Sequence, residues 1–156
     1  PRPTSIAHCV HGVVQDRGQL PQSSLAIAGS SCSRLRSPAP ALSFVLEEAT
    51  LRRRVGGTMV WRPQLEHLVE KARLRNVTLQ VMPLTSDAHR GLEGRIELLK
   101  FPDGTAVGRA DGAFNGRPVS EPKQLRILEL RYSTIRAQAL SPRESLAFIE
   151  KPLGEA

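Results

Sequence analysis

Leu125, Leu128, Tyr132, Ile135 and Ala139 recur at i, i+3, i+7, i+10 and i+14, a spacing that gathers apolar side chains on one face of an α-helix. Such a stripe is stable in water only when another surface covers it. The chain must therefore supply a sheet or further helices. With 156 residues and 40% hydrophobic content it can bury one core of ordinary size.

The covering elements are legible on either side of the stripe. Leu42, Phe44, Val45 and Leu46 form a β-prone run after Pro38 and Pro40, which predicts a strand over 42–47. Glu47 and Glu48 followed by Ala49, Leu51 and Val55 predict a short helix near 49–55, ended by Gly56 and Gly57. A second helix is expected near 62–74, with Pro63 at its N-terminus, Leu65, Leu68, Val69 and Ala72 on its apolar face and Asn76 at its C-terminal cap. Val77, Leu79 and Val81 alternate with Thr78, Gln80 and Met82, a strand over 77–82 with one face buried more deeply than the other. Ile96, Leu98, Leu99 and Phe101 predict a strand over 95–101. The turn Pro102-Asp103-Gly104 joins it to a partner over 105–110 that Gly108 weakens. Ser120 is placed to cap the striped helix over 121–139, and Ser141, Pro142 and Glu144 read as a capping box that restarts a last helix near 142–151. The fold class is α+β, a small mixed sheet of about four strands packed by amphipathic helices.

Residues 1–40 are of a different kind. They are rich in Ser and Pro, hold Asp16 as their one acid, and carry no sustained apolar period. Chain of that composition cannot bury enough apolar surface to offset its ordering entropy. The expectation is a disordered lead over 1–40 and a folded domain over 41–156. Because the sequence begins with Pro1, a truncated or frame-shifted reading of a longer gene is also expected.

A net charge of +7 permits acidic partners without requiring them. Two cysteines cannot make a disulfide framework, and no apolar run is long enough to span a membrane, so a cytoplasmic protein is expected. His8, Cys9, His11 and Cys32 are the one cluster of soft metal ligands, but they lie in the lead and lack a CxxC pair, so no metal is assigned to them. Ser86, Asp87 and His89 have the residue types of a hydrolytic triad; crowded on one loop, they are better read as turn residues bonding their own backbone. Arg52, Arg53 and Arg54 could contact phosphate, yet consecutive helical residues are spread around the helix and make no single patch. The paired glycines match neither phosphate-binding fingerprint, and no cofactor is expected.

Several longer blocks are jointly specific. FVLEEATLRRRVGG from Phe44, QLEHLVEKA from Gln64, NVTLQVMPL from Asn76, AHRGLEG from Ala88, LLKFPDG from Leu98 and STIRAQALSPRESLAFIE from Ser133 resemble the C-terminal domain of unknown function of actinobacterial Xre-type helix-turn-helix regulators. The resemblance covers about residues 41–153. It implies a bacterial, antitoxin-like transcription regulator, commonly encoded beside a small partner protein, whose DNA is read by an N-terminal helix-turn-helix. Residues 1–32 resemble no part of that arrangement, and Pro63 stands where relatives continue a helix. No catalytic residue carries over.

The function expected is a noncatalytic regulatory or protein-interaction domain that meets a small partner protein or another copy of itself, with sequence-specific DNA contact only through the missing domain. His89, Arg90 and Gly91 are the candidate partner or effector loop, and Arg52, Arg53 and Arg54 the candidate basic contact. The alternatives are a small hydrolase or nuclease using the His89 loop and a basic domain that binds DNA nonspecifically.

Overall fold

The two halves of the sheet run differently, parallel on one side and antiparallel on the other, and a short strand joins them. A computed structural model describes residues 9–11, 41–54, 56–86 and 93–154, with Cys9–His11 described by backbone pairing alone. The strands are β1 (Cys9–His11), β2 (Leu42–Glu47), β3 (Val77–Met82), β4 (Ile96–Lys100) and β5 (Ala106–Ala110), in the spatial order β3-β2-β1-β4-β5. β2 pairs in parallel with β3 from Leu42↔Val77 to Glu47↔Met82, and β4 pairs with β5 as a hairpin from Ile96↔Ala110 to Lys100↔Ala106. The helices are α1 (Glu48–Arg52), α2 (Thr58–Ala72), α3 (Pro122–Gln138) and α4 (Pro142–Gly154).

A parallel pair needs a crossover connection, which here holds α1 and α2, and its strands are normally covered on both faces. Along β2 every residue is buried. Leu46 joins Leu79 and Val81 of β3 in a core with Leu65, Leu68 and Val69 of α2 and Ile149 of α4. The alternate residues face α3: Val45 and Met82 pack with Leu125, Leu128, Tyr132 and Ile135, and that core continues over Ile96 and Leu98 of β4. The Ser43 and Tyr132 hydroxyls are 2.7 Å apart in a hydrogen bond on the same side. Burial pushes the Tyr132 phenol pKa up, against the effects of that bond and the Arg136 charge.

Double coverage corrects the expectation for β3, where one face was expected to lie closer to solvent. Gln80 and Met82 are buried as fully as Leu79 and Val81. Gln80 is satisfied by donating from Nε2 to the Leu140 carbonyl at 2.9 Å and accepting from Arg136 Nε at 3.2 Å. The outer edge of β3 is closed by the corner between α3 and α4. Leu140 N–H donates to the Val81 carbonyl at 2.9 Å, and Val81 N–H donates to Ser145 Oγ at 2.9 Å. An edge strand is thereby denied to other chains by two bonds from one corner.

Three helix boundaries differ from the sequence expectation. α1 ends at Arg52, and Arg53 is extended (φ −77°, ψ 110°), so the chain leaves the helix before the glycines. α2 starts at Thr58 and carries Pro63 inside it. Proline there cannot donate to the Met59 carbonyl one turn back, but Met59 is 88% exposed and water can take the place. The apolar surface of Trp61 draws the helix start upstream of the proline, since the indole is buried against α1. α3 starts at Pro122 with Glu121 at its N-cap and no side-chain capping bond, so Ser120 does not cap it; proline at the first position already lacks the donor a cap would serve.

Other expectations hold in detail. Asp103 Oδ1 accepts from Thr105 N–H at 2.9 Å in the turn, and Gly104 takes φ 85°. Ser141 and Glu144 form the reciprocal box: Ser141 N–H donates to Glu144 Oε2 at 2.9 Å and Glu144 N–H to Ser141 Oγ at 3.3 Å. Gly108 is required by proximity, because a Cβ there would lie 2.7 Å from Leu128 Cδ1 and 3.0 Å from Leu98 Cδ2. β1 departs from the expectation for residues 1–40, since Cys9–His11 pairs in parallel with β2 and antiparallel with β4 in the middle of the sheet. Strand pairing is made by backbone groups, so an argument from side-chain composition does not detect it. The remainder of that lead lies outside the described residues.

Leu128→Asp is expected to unfold the domain. It places an unpaired carboxylate where the side chain is fully buried, a cost of several kcal/mol against a total of roughly 5–15. Loss of the far-UV helical signal is the readout, and a native spectrum would contradict the packing of α3. Gly108→Val is expected to lower stability by about 1–3 kcal/mol through overpacking against Leu128 and Leu98, measured by denaturant titration.

A third prediction concerns pH. The Ser141 hydroxyl, and then its backbone N–H, lower the Glu144 pKa from the ordinary carboxylate value. Its contribution is therefore complete above the unfolded value of about 4.3 and is lost as pH falls through the lowered folded value. Melting temperatures of the wild type and Glu144→Gln should differ at neutral pH and converge as pH falls below the lowered folded value.

Candidate functional site

Where α1, α2 and α4 meet, the described residues enclose a cleft of about 340 Å³. Its construction begins with the early end of α1. Extended backbone at Arg53 turns Arg52 and Arg54 toward the same side, two residues apart. Gly56 and Gly57, at φ 79° and 77°, then reverse the chain into α2, a conformation that a residue with a Cβ adopts only under strain. The reversal places Trp61 beside α1, where indole Nε1 donates to the Leu51 carbonyl at 2.7 Å.

The floor is apolar: Leu51, Trp61, Leu65, Phe148, Ile149 and Pro152 line it, and four of these six belong to the buried core under α2 and α4. The rim is cationic, formed by Arg52, Arg54 and Lys151. The Arg54 guanidinium stands over the Trp61 ring, 5.0 Å from its centroid, and that of Arg52 stands 5.9 Å from the Phe148 centroid. Arg52 is anchored from behind by an ion pair through Nε to Glu48 Oε1, while Glu48 Oε2 accepts the Leu84 N–H at 2.8 Å. The walls are strapped together: Arg62 donates to the Leu153 carbonyl at 3.1 Å, and Arg73 pairs with Glu150 at 2.8 Å. No carboxylate, imidazole, thiol or hydroxyl side chain is among the described lining residues.

Of the residues singled out in the sequence, Arg52 and Arg54 share this cleft, whereas Arg53 is not among its lining residues. Reading all three as one helix separated them; the break in the helix brings two together. His89, Arg90 and Gly91 lie outside the described residues, as does Asp87. Ser86 closes a turn, its N–H donating to the Pro83 carbonyl at 3.0 Å. His8 and Cys32 also lie outside the described residues, and among the described residues no group of three or more His, Cys, Asp and Glu is placed to hold a metal. Sequence reasoning missed Trp61, Phe148 and Lys151. Trp61 lies one turn before Leu65 on the predicted stripe and is the one tryptophan of the chain, a signal that was available.

No helix of the described residues is long and apolar enough to cross a membrane. Neither curated proteins nor solved structures match the chain. A family profile does match, over residues 22–151, and so begins within the Ser/Pro-rich lead and upstream of the composition change at Pro40. The profile is that of a domain of unknown function, DUF5753, and with most of its length matched this chain belongs to that family.

Proposed function

We propose that this chain is the noncatalytic regulatory or interaction domain of a bacterial helix-turn-helix transcription regulator, with DNA reading assigned to a domain outside it. The cleft between α1, α2 and α4 carries this reading. An apolar floor beneath guanidinium and ammonium groups is suited to holding a partner or effector. Its lining lacks the acid, base and nucleophile pairs on which hydrolysis depends. The position of the cleft also suits regulation. α1 belongs to the β2–β3 crossover and α4 ends the fold, so an occupant contacts two distant parts of the chain at once. The resemblance to antitoxin-like regulators is consistent with a small protein partner or a second copy as the recipient of that signal.

Two measurements test the proposal. The purified chain should bind its own promoter and a scrambled duplex alike at near-physiological salt, weakly and with steep salt dependence, because its +7 charge meets phosphates without reading bases. A preference above about a hundredfold would move DNA reading into this chain. Fused behind a heterologous helix-turn-helix domain that lacks its own regulatory part, the chain should change repression of the matching reporter. A fusion indistinguishable from the bare DNA-binding domain would remove the regulatory role.

A further inference from the structure

We infer that the α1–α2–α4 cleft binds a small amphipathic carboxylate, its apolar body against Trp61, Phe148 and Pro152 and its carboxylate at Arg54 beside Arg52. Charge complementarity selects the head group. Three cations and no acid line the cleft; Arg52 is already paired with Glu48, so the exposed Arg54 is the cation that disfavours a cationic ligand and from which a neutral one gains no charge-assisted bond. Among the described residues the Arg54 guanidinium makes neither an ion pair nor a hydrogen bond; its contact is the indole face. With its carbon over the ring and no other bond among the described residues, the guanidinium has N–H groups left for a bidentate carboxylate. Arg52 is held by Glu48 through Nε, which fixes the second cation at the rim.

The floor selects the body. Leu51, Leu65 and Ile149 are core side chains already covered by protein, so the apolar surface open to an occupant is that of the half-buried Phe148 and Pro152 beside the edge of Trp61. Inorganic phosphate or acetate would leave that surface uncovered. At about 340 Å³ the cavity is at the small end of ligand pockets, suited to a single short chain or ring rather than to a helix laid in a groove. Trp61 forms part of this lining and is the one tryptophan, so its emission reports on the site alone.

This inference deepens the regulatory reading and rests on it for its biological meaning, while binding itself is measured separately. The full chain is titrated with octanoate, with octanol and octylammonium as head-group controls and acetate as the head alone, following Trp61 emission. Octanoate should shift the emission saturably, and the three controls should do so at least about tenfold more weakly, the scale of one charge-assisted hydrogen bond. Arg54→Gln should weaken octanoate by about tenfold while keeping the wild-type dichroism and melting temperature. No saturable response to octanoate, an equal response to octanol, or unchanged affinity in Arg54→Gln would overturn the assignment. Octanoate binding that leaves the fusion reporter unmoved supports the site and counts against the regulatory reading. A reporter that responds to the chain without any octanoate binding keeps regulation and overturns the ligand class.

Discussion

Burial of the parallel β2–β3 pair on both faces is the constraint from which the rest of the structure follows. Six consecutive buried residues in β2 leave no side of that strand for water. One face needs α2 and α4, the other needs α3, and the chain must cross over the sheet between the two strands to run them in parallel. The remaining exposed edge of β3 is then met by the α3–α4 corner through Val81, Leu140 and Ser145. Ser145 is fully buried, which its hydroxyl tolerates because it accepts from Val81 N–H and donates to the Leu140 carbonyl. The antiparallel β4–β5 hairpin shares the α3 side of this arrangement and extends its core.

The cleft arises from the same crossover. A five-residue α1 cannot reach α2 without a reversal, and the extended Arg53 with two positive-φ glycines supplies it. The cost of that irregular passage is offset where Trp61 packs back on α1 and bonds the Leu51 carbonyl. Because Leu65 and Ile149 belong both to the core and to the floor, an occupant of the cleft touches the packing of β2 and β3 at one remove. Under the proposed regulatory role, that continuity is the physical route from an occupant of the cleft to the fold. The ion pair between Arg73 and Glu150 and the Arg62 bond to the C-terminal part of α4 limit how far the walls can separate.

Much of this was legible in the residues because it is local. The stripe from Leu125 to Ile135, the Ser141–Glu144 box and the Pro102–Gly104 turn each depend on spacings of a few residues, and each is found as read. Gly108 looked like a weakness in its strand and is instead a fit to Leu128 and Leu98, neighbours that no short window contains. Pro63 looked like a helix start; the contact of Trp61 with α1 set the start earlier.

What the sequence by itself determined is therefore which faces are apolar, where turns fall and how helices are capped, along with the blocks that mark the family. The tertiary structure alone decided that β2 and β3 lie in parallel and buried on both sides, that β1 joins the two halves of the sheet, and that Arg52, Arg54 and Trp61 meet Phe148 of α4 from the far end of the chain. The physical reason is the range of the interactions. Periodicity and capping are properties of neighbouring residues and are written in order along the chain, whereas the surface that covers an apolar face, and the cleft left where three such surfaces meet, depend on which distant segments exclude water together.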